Sequence, residues 1–179
     1  MMNRTALAAA LSLLAAPAAA GMQDFHSGPI IPAFGKVATV ASDMPLPKDA
    51  VWKHSFDVSE GTPATLSKGL ESAARFVNVM GENGVRGERL KVAVVIHGPA
   101  VFDVTNAARY KARYPSADNP NAAMVKALLD AGVQIWVCGQ SATAQDVTNS
   151  DLLPGVKMAL SAITAHAELQ RQGYTLNPF

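Results

Sequence analysis

One cysteine, Cys138, is all the thiol chemistry this sequence of 179 residues holds. That excludes an internal disulfide, and the lack of a CxxC pair disfavours a self-sufficient disulfide oxidoreductase. In an oxidising compartment an unpaired thiol is buried and inert, paired with another molecule, or kept for chemistry. A charge excess is also missing. Fifteen basic residues face 14 acidic ones, with no basic cluster to neutralise phosphates, which argues against a nucleic acid as partner. His26, His54, His97 and His166 are scattered without paired ligand spacing, so no metal site is expected. No Walker loop and no nucleophile-elbow serine occur. Gly81, Gly84 and Gly87 recur every third residue, but they follow a helical stretch and precede a strand-like one, the reverse of a dinucleotide fingerprint. No cofactor is expected.

Beyond the first twenty residues no apolar run is long enough to cross a bilayer, which takes about 20 residues. The first twenty themselves read as a signal peptide. Arg4 supplies the positive end, residues 7–16 the apolar core, and Ala18-Ala19-Ala20 the small-residue cleavage site. The alternative is an uncleaved anchor. Cleavage before Gly21 makes the protein exported, to the periplasm, without stable membrane insertion. It also removes one basic residue and leaves the mature chain neutral, so copies repel one another weakly.

Residues 21–48 read as an irregular arm interrupted by Pro29, Pro32, Pro45 and Pro47, with Phe25, Ile30, Ile31 and Phe34 available to pack on the domain or on another subunit. Residues 49–179 read as one domain. A strand is expected over 52–58. Thr62 then serves as helix N-cap with Pro63 at the first helical position, and Leu66, Leu70, Ala73, Val77 and Met80 form an apolar stripe that Gly84 ends. Residues 90–96 form a continuous apolar run, as in a parallel strand covered on both faces. A short helix is expected near 105–111, and another from Asn119-Pro120 with Met124, Val125, Leu128 and Leu129 facing the core and Gly132 stopping it. Residues 133–137 form the next strand, 141–148 a short helix, 156–158 a short strand, 159–172 the last helix, and 174–179 a tail. Alternating strands and helices define an α/β fold with a parallel sheet.

Ligands of such sheets bind at the C-terminal ends of the strands. One buried strand ends at Cys138-Gly139-Gln140-Ser141 and another at His97-Gly98-Pro99. If the two are neighbours, His97 and Cys138 share an edge. A helix N-terminus contributes about 0.3–1 kcal/mol towards an anion, and about 2 kcal/mol at best, so it raises the thiolate fraction of a cysteine placed there. A protonated His97 acts in the same direction, and burial opposes both. Gly139, Gln140 and Ser141 are candidate substrate-binding residues, the last two through amide or hydroxyl donors to a sulfur anion. Capping is the simpler role for Ser141. Cys138 as a small apolar filler and His97 as a structural residue are the alternatives. Asp103, Asn106 and Arg109 read as turn, cap or surface residues.

The run Lys91-Val92-Ala93-Val94-Val95-Ile96-His97-Gly98, the segment 128–141 with Val137-Cys138-Gly139-Gln140-Ser141, and the ending from Leu153-Pro154-Gly155-Val156 to Gly173-Tyr174 together resemble the DsrE/DsrF-like sulfur-relay family. Their order carries the resemblance. It implies a three-layer α/β/α sandwich with a mainly parallel sheet and a homo-oligomer. It also implies a sulfur carrier or sulfurtransferase whose cysteine takes sulfur as a persulfide and passes it on. Cys138 matches that cysteine, and His97 would assist proton transfer. The better-known relay members are cytoplasmic, whereas this chain carries an export signal. Thiolation of transfer RNA is therefore not carried over, and the sulfur donor and acceptor, protein or small thiol, stay unidentified. The rival reading is a non-catalytic binding or assembly module with a structural cysteine. A hydrolase or cofactor enzyme of the same broad fold has no motif to support it.

Overall fold

The computed structural model describes residues 21–177 except Lys48. The expected leader, residues 1–20, lies outside the described residues, as do Pro178 and Phe179. Among the described residues five strands, β1 (Trp52–Val58), β2 (Leu90–Ile96), β3 (Gln134–Cys138), β4 (Lys157–Ala159) and β5 (Thr175–Asn177), form one sheet in the order β4-β3-β2-β1-β5. Every pairing is parallel. The helices are α1 (Lys68–Glu82), α2 (Ala107–Arg113), α3 (Ala122–Asp130), α4 (Gly139–Ala144) and α5 (Ala162–Arg171).

Alternation along the strands decides which helix each face receives. Val92, Val94 and Ile96 of β2, with Phe56 and Val58 of β1 and Ile135 and Val137 of β3, pack with α1 and α3 through Leu70, Ala73, Val77, Met124 and Leu128. The intervening Ala93 and Val95 face α5, where they join Cys138, Ala162, Ala165, Leu169 and Tyr174. The fold is therefore the expected α/β/α arrangement, and β2 is buried on both faces from Val92 to Ile96, as that apolar run requires.

Helix α1 starts later than its sequence predicts. Thr62 and Pro63 do not open it. Ala64 has φ +57°, outside the right-handed region, and its N–H donates to the Tyr110 hydroxyl at 2.9 Å. The helix begins instead at a Ser67 cap, which accepts from Leu70 N–H. Asn121 fixes this corner by accepting from Ser67 N–H and donating to the Thr65 carbonyl. Leu66, assigned to the apolar stripe, consequently lies exposed. The end of α1 is as expected, with Gly84 at φ +84°.

Residues expected as a tail contain β5, which pairs with β1 from His54↔Thr175 to Phe56↔Asn177. Three residues are too few to show a period. The arm at 21–48 is irregular but anchored. Ile31 and Val37 are buried, and His26 pairs with Val37 in an isolated antiparallel bridge. Asn78, fully buried on α1, accepts from the Ile30 and Ile31 N–H groups and donates to the carbonyls of Ile31, Phe34 and Gly35. The arm thus gains on α1 backbone partners beyond the few it makes within itself.

Asp103 is the costly group of the interior. It is buried on the 3-10 segment Gly98–Val104, and its Oδ2 has no partner. Burial pushes its carboxyl up to about 7, against a hydrogen bond with Asn121 that acts downwards. The folded state therefore binds this proton more tightly than the unfolded one, so stability is full below about pH 4 and falls as pH rises towards 7. Thermal melts from pH 4 to 8 should show wild type losing stability relative to Asp103→Asn as pH increases. Parallel curves for the two proteins would refute the assignment.

Candidate functional site

Strands β1, β2 and β3 end side by side. Ile96 pairs with Val58 on one side and Val137 on the other, so His97 and Cys138 follow at the same level of adjacent strands. Asp57 is in register with Val95, which places it on the sheet face covered by α5. Alternation puts Asp57, His97 and Cys138 on that one face.

Cys138 ends β3 and is itself the N-cap of α4. Its Sγ accepts from Ser141 N–H at 3.4 Å. Ser141 is thus not the cap expected of it. Its hydroxyl bonds the sulfur and accepts from Gly98 N–H at 3.1 Å, which ties the end of β3 to the end of β2. Backbone N–H groups of Gln140 and of Ala162, the first residue of α5, also bond the thiol. Two helix starts therefore converge on one sulfur. Gly139 permits this. A Cβ there would lie 2.7 Å from the Ala159 carbonyl oxygen and 3.2 Å from that of Leu160, so only glycine lets the β4–α5 connection approach so closely. Cys138 is 5% exposed. Burial pushes its thiol up, but the hydrogen bonds from Ser141, Ala162 and Gln140 outweigh it, and the net effect is a thiol more acidic than usual.

His97 does not stand alone. Its Nε2 lies 3.0 and 3.2 Å from the two carboxylate oxygens of Asp57. His166 of α5 places its own Nε2 2.8 Å from Asp57 Oδ1. Burial pushes the Asp57 carboxyl up, but the hydrogen bonds and positive charge of the two histidines hold it below the usual carboxylate range. The Nδ1 atom of His166 is buried without a partner. Sequence reasoning found His97 and missed Asp57 and His166, which lie 40 residues before it and 69 after it. The available signal was a carboxylate between Phe56 and Val58, on the opposite face from those two apolar side chains of a strand whose neighbour is apolar from Val92 to Ile96.

The remaining candidates are structural. Asn106 caps α2 by accepting from Arg109 N–H. Arg109 donates to the Gln145 carbonyl, and Gln145 donates to the carbonyls of Gly98 and Ser141. That chain braces the two segments that hold the thiol. Above the end of β1 a cavity of about 410 Å³ is bordered by Asp57, Ser59, Glu60, Thr62 and Lys68. Among the described residues, no three His, Cys, Asp or Glu side chains are placed to hold a metal ion, and no helix is long and apolar enough to cross a membrane.

Comparison with known proteins agrees with this fold. Two solved structures share the fold. One is a protein of unknown function, MTH1491, from Methanobacterium thermoautotrophicum, with 19% identity, a TM-score of 0.52, and coverage of 72% of this chain and 99% of that one. The other is the ychN protein from E. coli, with 15% identity, a TM-score of 0.51, and coverage of 71% and 99%. No curated protein matches the chain in sequence. The family model described as DsrE/DsrF-like matches residues 53–178, which reach all five strands and include every residue of the site, and the chain belongs to the DsrE/DsrF-like family.

Proposed function

We propose that this protein carries sulfane sulfur as a persulfide on Cys138. The observation that supports the reading most is the convergence of Ser141, Gln140 and Ala162 hydrogen bonds on one thiol, which favours its anion despite burial. In the first step the Cys138 thiolate attacks the outer sulfur of a donor persulfide, R–S–SH. A bond from Sγ to that sulfur forms, the donor S–S bond breaks, and the donor leaves as the thiolate R–S⁻. In the second step an acceptor thiolate attacks the outer sulfur of the Cys138 persulfide and restores the Cys138 thiolate. No net oxidation occurs, and neither step needs a cofactor. His97 handles the proton that leaves the Cys138 thiol and returns to the departing donor. Gln140 and Ser141 hold the anion, and Gly139 makes room for the α5 start. The reading places the protein outside the cytoplasm, in the periplasm, on the strength of the leader-like residues 1–20.

One observation favours the rival, a binding or assembly module with a structural cysteine: the thiol is 5% exposed. Intact mass after polysulfide treatment separates the two. The sulfur-carrier reading expects wild type to gain sulfur and Cys138→Ser to gain none. Equal gains, or no gain in either, defeat it.

The hydrogen-bond account of the thiol has its own measurement. Replacing Ser141 by Ala removes one hydroxyl bond to the anion, worth about 1 kcal/mol. Alkylation of Cys138 at neutral pH should slow about fivefold, with the midpoint of the pH–rate curve moving upwards. An unchanged curve would remove Ser141 from the site.

Self-association belongs to the same reading. Leu160 and Ile163, at 80% and 82% exposure, present apolar surface at the start of α5 beside the thiol. Analytical sedimentation at micromolar concentration should give a species larger than one chain, and a monomer there would exclude it.

A further inference from the structure

Asp57 and His166 stand outside the sulfur chemistry assigned to Cys138 and His97, yet the fold builds them into the same edge. Each histidine directs Nε2 at one carboxylate, and both contacts reach Oδ1, at 3.0 and 2.8 Å. An ionised carboxylate only accepts, so each contact is a hydrogen bond only if Nε2 carries the hydrogen. That assignment leaves Nδ1 of a neutral His97 as its lone-pair atom. His166 sits one helical turn after Ala162, whose N–H bonds the Cys138 sulfur. One rigid helix thus aims a donor at the thiol and an imidazole at the carboxylate. The His166 side chain is 15% exposed, whereas those of Asp57 and His97 are each 31% exposed. The inner histidine therefore braces the carboxylate from behind, and the outer pair meets solvent.

We propose that Asp57 and His166 are positioning residues for His97. Asp57 holds the hydrogen on His97 Nε2 and so makes Nδ1 the atom that exchanges protons at the sulfur site, while His166 pins the carboxylate. This rests on Cys138 being the sulfur acceptor. In the exchange the Sγ–H bond breaks and an Nδ1–H bond forms. His97 becomes an imidazolium facing the Asp57 carboxylate, and its proton later passes to the thiolate of the departing donor. The titratable groups that bear on the exchange are Cys138 at the end of β3, His97 beyond β2, Asp57 on β1 and His166 on α5. Glu60 and Lys68 border the cavity above Asp57.

Nitrogen–proton correlation NMR of the full chain near pH 8.5 reads the tautomers directly. Wild type should show His97 and His166 both with hydrogen on Nε2, and Asp57→Asn should convert His97 to a mixture. The alkylation rate of Cys138 adds a second readout. It should fall about tenfold between pH 5.5 and 7 in Asp57→Asn and in His166→Ala, and rejoin wild type at high pH, where the thiol ionises unaided. His166→Gln keeps an N–H for the carboxylate and should restore most of the loss. A wild-type His97 with its hydrogen on Nδ1 overturns the proposal even if no variant folds. Unchanged tautomers and pH profiles in the variants overturn it as well, and an unchanged profile in His166→Ala alone overturns the part assigned to His166. Neither readout uses a sulfur donor. Failure of sulfur loading would therefore defeat the carrier reading and leave the tautomer result to be judged by itself.

Discussion

The register between β2 and β3 is the constraint from which the site follows. Two parallel strands, each with alternate residues sunk in opposite layers, cannot slip by one position without exchanging their buried faces. With Val94, Ile96, Ile135 and Val137 all committed to the α1 and α3 layer, the next residue of each strand must turn towards α5. Those residues are His97 and Cys138. Strand β1 obeys the same rule, since Phe56 and Val58 go one way and Asp57 the other. Apolar packing on one side of the sheet thereby delivers three polar side chains to a shared edge on the other.

Helix α5 completes what the sheet begins. Its packing on Ala93 and Val95 is close because both side chains are small or short. Its first N–H approaches the sulfur only because Gly139 leaves room for the Ala159 and Leu160 carbonyls. The same helix brings His166 to Asp57. Burial by itself would make the thiol a poor acid. The added donors reverse that sign, so the surroundings of Cys138 differ from those of a cysteine that only fills space.

Strands β1 and β2 and the apolar stripes of α1 and α3 were legible in the sequence, because they depend on local periodicity and on apolar runs such as Val92–Ile96. The place of Cys138 at a strand end facing a helix start was legible for the same reason. What was hidden depended on tertiary partners. The start of α1 is moved by Asn121 and by the Tyr110 hydroxyl, both distant in the chain. Strand β5 exists because β1 offers it a ladder. The cap of α4 is a cysteine, a residue type absent from the usual capping set, so Ser141 drew the assignment instead. Asp57 and His166 carry no local pattern linking them. Only the parallel order of the strands and the return of α5 across them bring the two together.

A helix whose first acceptor is a sulfur atom has an origin that responds to chemistry. A thiolate accepts a hydrogen bond more strongly than a thiol does, and a sulfur that has gained a substituent no longer offers the same lone pairs or the same space. Helix α4 is only six residues long, so its first turn is a large part of its order. Ser141 on that helix and Gln145 at its C-terminal cap hold the Gly98 backbone from both sides, and Arg109 is moored to the same stretch. A substituent gained at the sulfur would therefore loosen or tighten the neighbouring loops, and so reach the protein's outer surface.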